Sequence, residues 1–405
     1  MKKILFSLLF VICNLFGYSQ DQYVHQILIL NEGCYDYGMN EILEPVTIGV
    51  YDIETNTYNT IVEIENVRFA SDLIIDEDYF YVAADNKILK YDLNSYDLLF
   101  SVEHIGVRKL MIYEEKLFVT RGEYDSSTFG PVFFESYLDV FLKDDLAHFL
   151  SFDTTNGPQW STENLLINDN QLYVTINNAY EWGNYKGILG IVDLSNMTYT
   201  FEIDLGEDAL NPINMMLYNN TIYTLNNKNW DGSSVSMVDL TVSTTPETMI
   251  LSNVSAGCGV SIIRDEKFIY QKSNETELYS FSLENTEQMN LEPNFNYNYY
   301  ALAENPLNGH LYAAIANFTS NSGVIIYDED NNEINTFFAD VATSKIVFDI
   351  RMNNNFSLKD DFNTNSSIVT QIDVLGRLVK NSNIIIEIYD NGDYKKKFSV
   401  NHKTP

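Results

Sequence analysis

An all-β chain, with seven repeated four-stranded units closed into a propeller and a small carboxy-terminal β segment after them, is what this sequence of 405 residues predicts. Three observations carry the expectation. An apolar strand ending in a bulky residue, usually followed by Asp and a polar turn, recurs at a period of 40 to 51 residues. A second strand phrase precedes nearly every copy. One copy of that second phrase stands alone near the amino terminus.

Residues 1–20 come first. Lys2 and Lys3, the apolar run from Ile4 to Phe16 and the stretch Gly17-Tyr18-Ser19-Gln20 have the layout of a cleavable export signal. The mature chain is expected to start near Asp21 and to work at the cell surface or outside the cell. Cys13 lies in the apolar run, but Ile12 before it is too bulky for the usual lipoprotein cleavage site. No later stretch reaches the roughly 18 apolar residues that a spanning helix needs, so no transmembrane segment is expected.

The propeller is expected over residues 21–352. Its marker phrase is IGVYD at Tyr51-Asp52, ILKYD at Tyr91-Asp92, LDVFL around Phe141, LGIVD at Val192-Asp193, VSMVD at Val238-Asp239, LYSFS at Phe281-Ser282 and VIIYD at Tyr327-Asp328. Successive markers are 40, 50, 51, 46, 43 and 46 residues apart. The preceding phrase appears as YFYVAAD, KLFVTRG, QLYVTIN, TIYTLNN, KFIYQKS and HLYAAIA, six copies for seven markers. The seventh is QILILNEG at 26–33. After the last marker the chain supplies INTFFAD and KIVFDI and then lacks a second strand, so the amino-terminal strand is expected to fill the gap and close the ring, removing two exposed sheet edges. These phrases resemble the YVTN-repeat propellers of the quinoprotein amine dehydrogenase-like group over about residues 24 to 352, a resemblance that implies the fold and little about activity.

In a four-stranded blade, the loops joining strands two and three share one face with the loops leading from strand four to the next blade. On the opposite face the turns are short and polar, as in ETNT, DED and NDN. The first face carries long connections at 33–45, 122–137, 178–187 and 227–232, with 156–161 and 294–300 leading into blades. All three tryptophans fall there. The candidate ligand-binding set is Tyr35, Tyr37, Tyr124, Phe133, Trp160, Tyr180, Trp182, Tyr185, Trp230, Tyr297 and Tyr299, with Phe134 nearby. Aromatic side chains gathered on one rim either line a concave site or pack the long loops onto the blades. Arg68 and Arg121 near this face either hold an anionic group or pair with neighbouring carboxylates.

The balance of 24 Lys and Arg against 57 Asp and Glu gives a formal charge of −33, which repels phosphate backbones and argues against nucleic acid as a partner. Behind the signal only Cys34 and Cys258 remain; they either form one disulfide or stay as thiols. Catalysis is not expected. Of the five histidines only His104 lies where the chain enters a blade, and it has no partner at metal-ligand spacing. Glu207, Asp208 and Asn211 enter another blade, but carboxylates abound here. GxSxG, CxxC and HExxH are all missing. No cofactor or metal is called for.

Residues 353–366 read as a polar linker and 367–405 as a β segment in which Asp390-Asn391-Gly392 marks a hairpin turn. Through IDVLGRLVK and the lysines at 395–397 that segment resembles the carboxy-terminal sorting domain of the type IX secretion system of Bacteroidota. It departs from that pattern in lacking the proline-asparagine-proline opening, and a small strand pair is the alternative. With such a tail, an acidic propeller is similar to the Bacteroidota cell-surface propellers that capture cobalamin. That resemblance implies a small amphipathic ligand, with a corrinoid as its most concrete version, and an outer-membrane TonB-dependent transporter as partner. A secreted propeller lyase or hydrolase with a site over the central channel is the alternative, and a protein-interaction scaffold is a third.

Overall fold

The computed structural model describes residues 22–241, 245–286 and 288–352, together with the backbone of three strands near the carboxy terminus. The expected export signal and the linker lie outside the described residues. Seven four-stranded antiparallel sheets follow one another along the chain. Blade 2, for example, is built from Asp72–Asp76, Tyr79–Ala84, Lys87–Asp92 and Leu98–Glu103 in that order from inside to outside.

Blade 1 is the exception in connectivity. Its innermost strand, Thr343–Met352, comes last in the propeller, and its second strand, Gln22–Asn31, comes first. The amino-terminal strand therefore lies between Thr343–Met352 and Val46–Asp52, with Ile27 opposite Tyr51 and Asn31 opposite Thr47. Side chains alternate along a strand, and here both faces are buried. Ile27 and Ile29 pack against Tyr312, Ala314 and Val324 of blade 7. Leu28 and Leu30 pack against Leu73, Phe80 and Val82 of blade 2. All four are fully buried, which is why the segment is apolar throughout instead of alternating.

The same arrangement repeats around the disc. Among the described residues there are seven hydrophobic clusters, and each is shared by two neighbouring blades. In QLYVTI, Leu172 and Val174 enter the cluster with blade 3, whereas Tyr173 between them enters the cluster with blade 5. Polar bonds reinforce the seam. Gln26 Nε2 donates to Asp349 Oδ2 at 3.0 Å and Thr343 Oγ1 to Asn31 Oδ1 at 2.7 Å. Asp340 of blade 7 accepts hydroxyl bonds from Thr47, Tyr58 and Thr60 of blade 1.

The Asp of the marker phrase also acquires a reason. Asp52, Asp92, Asp193, Asp239 and Asp328 each turn Oδ1 back to the backbone N–H two residues on, at 2.8 to 2.9 Å, forming an Asx turn at the start of the outer hairpin. In blade 6, where Ser282 replaces Asp, its hydroxyl accepts from Glu284 N at 3.2 Å in the same place. The loops on this face thus serve to turn the chain.

Near the carboxy terminus, Ile368–Ile372, Ile384–Tyr389 and Tyr394–Phe398 form a separate three-stranded antiparallel sheet. The second and third strands pair antiparallel with Ile388 opposite Tyr394; the expected turn at Asp390-Asn391-Gly392 lies outside the described residues. The lysines at 395–397 lie in the last strand.

Two outcomes are expected. Leu28→Ala should lower the unfolding free energy by about 2–5 kcal/mol, because a fully buried leucine at the closing seam leaves a cavity; urea denaturation measures it. Hydrogen bonds from backbone N–H groups hold the carboxyl groups of Asp52, Asp92 and Asp328 below their usual range, and the Ser195 hydroxyl followed by its N–H does so for Asp193. A carboxyl group depressed in the folded state contributes stability above its unfolded pKa of about 4, and that contribution is lost as pH falls through the folded value. Melting temperature should therefore drop between pH 5 and pH 2, and Asp92→Ala should flatten that drop.

Candidate functional site

The seven innermost strands all begin on the face that carries the long loops. There the central channel widens into a cavity of about 780 Å³. Its wall takes residues at or beside the start of every innermost strand: Ser71, Lys109, Glu163, Ile213, Ser261, Tyr300 and Lys345. Loops between strands two and three add Tyr37, Glu123, Tyr124, Tyr180 and Trp230.

A shared backbone device aims several of these side chains at the channel. In blades 3, 4, 5 and 7 the innermost strand carries one extra residue near its start, a β-bulge against the second strand. The irregular stretches hold Arg108 and Lys109, Glu163 and Asn164, Ile213, and Tyr300 respectively. An extra residue leaves backbone groups out of the ladder, and in blades 3 and 4 a threonine of the second strand takes them up. Thr120 Oγ1 accepts from Lys109 N at 2.8 Å and donates to Glu163 O at 2.8 Å; Thr175 Oγ1 accepts from Asn164 N at 2.7 Å. The threonines of KLFVTR and QLYVTI therefore fix the rim from behind.

The charges at the mouth are largely matched. Arg108 makes two bonds to Glu163, both at 3.2 Å, and lies 5.7 Å from the ring centre of Tyr180 and 5.9 Å from that of Phe69. Burial alone would weaken the Arg108 cation, but Glu163 outweighs it and the pKa rises. Lys345 pairs with Asp72 at 2.9 Å. Burial opposes ionisation of Asp72, yet Lys345 and Lys109 with the N–H of Leu110 hold its pKa below the usual value. Glu32, directly after the closing strand, accepts from the Tyr300 hydroxyl at 3.0 Å. Burial raises the Glu32 carboxyl against that bond and the nearby Lys109 and Arg108.

Of the aromatic and arginine candidates, Tyr37, Tyr124, Tyr180 and Trp230 line the cavity together. The others are placed elsewhere on the same face or beneath it. Trp182 projects into solvent, 80 % exposed, with Tyr185 edge-on to it. Phe133 is 78 % exposed. Trp160 holds Lys186 over its ring at 4.8 Å, and Tyr35 bonds Asn40 within its own hairpin. Tyr297 lies at the surface edge-on to Tyr299.

Tyr185 and Tyr299 are buried; Tyr299 bonds Tyr327 and packs between blades 6 and 7, whereas Tyr185 lies within its long loop against Trp182. Arg68 is paired with Asp85 and, at 2.8 Å, with Glu123; Arg121 donates to Asp139 at 3.2 Å and lies 3.9 Å over Phe134. Both take the carboxylate-pairing alternative. His104 also bonds Asp139, at 2.9 Å, within blade 3 and away from the channel.

Sequence reasoning passed over Glu32, Phe69, Arg108, Lys109, Glu163 and Tyr300. For Arg108, Lys109, Glu163 and Tyr300 the signal is a polar residue one or two places into an innermost strand, as in VRKLMIY and TENLLIN; Glu32 and Phe69 lie outside such strands. Cys34 and Cys258 are both free thiols. Cys258 lines the cavity, and the surrounding protein with Glu32 nearby pushes its thiol up, away from thiolate. Among the described residues no group of three or more His, Cys, Asp or Glu side chains is placed to hold a metal ion, and no helix is long and apolar enough to cross a membrane.

No protein-family model matches this chain and no curated protein matches it. Solved structures do. A hypothetical selenium-binding protein from Sulfolobus tokodaii superposes with a TM-score of 0.58 at 9 % identity, covering 82 % of this chain and 94 % of that one. BamB from Moraxella catarrhalis matches with a TM-score of 0.46 at 10 % identity, over 95 % of this chain and 99 % of its own. The β-propeller domain of Cps50 (Swd1) from Myceliophteria thermophila gives 0.48 at 10 % identity, over 72 % and 97 %. At 9 % identity the likeness to the Sulfolobus protein extends to the fold alone.

Thr120→Val keeps the shape of a fully buried side chain while stranding the N–H of Lys109 and the carbonyl of Glu163. It should cost about 1–3 kcal/mol in urea denaturation, the range for unsatisfied buried polar groups.

Proposed function

We propose that this propeller is an exported or cell-surface binding protein without catalytic activity, whose channel mouth captures a small amphipathic ligand. One observation carries the reading: a cavity of about 780 Å³ with the rings of Tyr37, Phe69, Tyr124, Tyr180, Trp230 and Tyr300 above a floor of fixed polar groups. Its size falls within the roughly 300–1,000 Å³ typical of small-molecule sites. Flat apolar faces with hydrogen-bonding edges suit a planar ligand bearing polar groups.

A corrinoid is the most concrete version, and it rests on the resemblance of the repeats and tail to cobalamin-capturing surface propellers. Such a molecule would set part of its bulk in the mouth and leave the rest over the rim. Phe129, Phe133 and Trp182, all projecting into solvent from the long loops, supply apolar surface on which a TonB-dependent transporter would dock. The segment from 367 on, as a type IX sorting signal, would account for delivery to the surface. Residues 1–20 would serve as the export signal.

Calorimetric titration of the mature chain with cyanocobalamin tests this. Binding is expected, and Trp230→Ala should weaken it by at least tenfold, roughly 2 kcal/mol or more for an aromatic anchor, with the melting temperature retained. Unchanged affinity in Trp230→Ala would make the rim a packing feature. Absence of heat with cyanocobalamin would remove the corrinoid version.

A further inference from the structure

In a chain with a formal charge of −33, the mouth of the channel is the place where cations gather on the axis: Arg108, Lys109 and Lys345 all line it. Two are spoken for. Arg108 is held by Glu163 through two hydrogen bonds, and Lys345 is paired with Asp72. Lys109 differs. Among the described residues its ammonium has no carboxylate within salt-bridge distance, and its one hydrogen bond is donated to the carbonyl of Ser71 at 2.5 Å. An ammonium carries three donors, so two remain for something else.

Two acids nearby are ion-paired elsewhere, Glu163 with Arg108 and Asp72 with Lys345, while Glu32, whose ionisation burial opposes, bonds the Tyr300 hydroxyl. The bulge and Thr120 fix the backbone of Lys109, so the side chain is presented at the floor of the cavity. A partly buried cation with no carboxylate in ion-pair contact pays for lost hydration without full compensation, and an incoming anion at the cavity would supply the missing partner. Loss of hydration lowers the Lys109 pKa, and the charges of Asp72 and Glu163 offset it only in part.

Resting on the ligand-binding reading above, we propose that the channel floor is an oxyanion subsite: Lys109 Nζ pairs with one carboxylate, sulfonate or phosphodiester group carried on a flat apolar body that stacks among Tyr180, Trp230 and Phe69. The neighbouring acids set its capacity. Glu32, Asp72 and Glu163 leave room for one negative charge beside Lys109 and would repel a second, so monoanions bind in preference to dianions.

The test uses two fluorescent probes that differ only in charge, 1-anilinonaphthalene-8-sulfonate and the neutral N-phenyl-1-naphthylamine, titrated into the mature chain. Lys109→Met should weaken the sulfonate by tenfold or more, leave the neutral probe within twofold, and abolish the salt dependence of sulfonate binding. Trp230→Ala should weaken both. Thermal melting controls for folding, and removing a poorly paired buried charge should leave Lys109→Met as stable as the parent. If Lys109→Met changes neither probe, or weakens both alike, the oxyanion subsite is overturned while the cavity survives as a binding site. If neither probe binds the parent chain, both readings fall.

Discussion

Everything else in this protein depends on a single ten-residue strand, Gln22–Asn31, lying between the innermost strand Thr343–Met352 and the third strand Val46–Asp52 of the first blade. Its four fully buried aliphatic side chains belong to two different hydrophobic clusters, so the strand joins blade 7 to blade 1 and blade 1 to blade 2 at once. Without it the innermost strand Thr343–Met352 would have no partner and two blades would face water. Each buried side chain contributes on the order of 1.5–3 kcal/mol, enough in sum to rival the net stability of an ordinary domain. The mouth inherits its geometry from that closure, because Glu32, the residue after the strand, and Ser344 and Lys345, beside it, complete the circle of lining residues.

The two faces of the disc follow different rules. On one, the Asx turns of the marker phrase are interchangeable devices, and a serine substitutes for aspartate in blade 6 without changing the hydrogen bond. On the other, the blades are individual. Bulges in four of them displace the side chains at the head of the innermost strand, and the groups put there do not follow the repeat, ranging from Ser71 and Ser261 to Lys109, Glu163, Ile213 and Tyr300. A repeated scaffold thus presents an unrepeated set of groups, an arrangement suited to recognising a ligand without sevenfold symmetry.

The fold was legible because its signals are local and repeated. A second strand buried on both faces must be apolar at every position, and QILILN shows this as clearly as YFYVAA. Much less of the site was legible. Tyr37, Tyr124, Tyr180 and Trp230 could be found, since an aromatic residue in a long loop is conspicuous. Tyr185 and Tyr299 look the same in sequence but turn inward, and nothing in their neighbourhood distinguishes a ring that packs from one that binds. Arg108, Lys109 and Glu163 were missed because they sit inside strands, where charge reads as a solvated face; only the bulges, invisible in sequence, turn them to the axis. The pairing of Arg68 and Arg121 with acids depends on residues 17 and 18 positions away brought close by the sheet.

Closure by the chain's two ends also dictates the order of events in folding. Gln26 and Asp349, hydrogen-bonded across the seam, are 323 residues apart. Bringing together the ends of so long a flexible segment costs on the order of 5 kcal/mol in chain entropy, and that cost falls only when the intervening blades have already condensed. Six blades can form as the chain emerges, each from contiguous sequence, but the first cannot until residues beyond 343 are available. An incomplete product stays an open arc, with an unpaired edge where the early strand waits. Completion is therefore registered by the molecule itself: the mouth acquires its full circle of groups only when the final strand has been made.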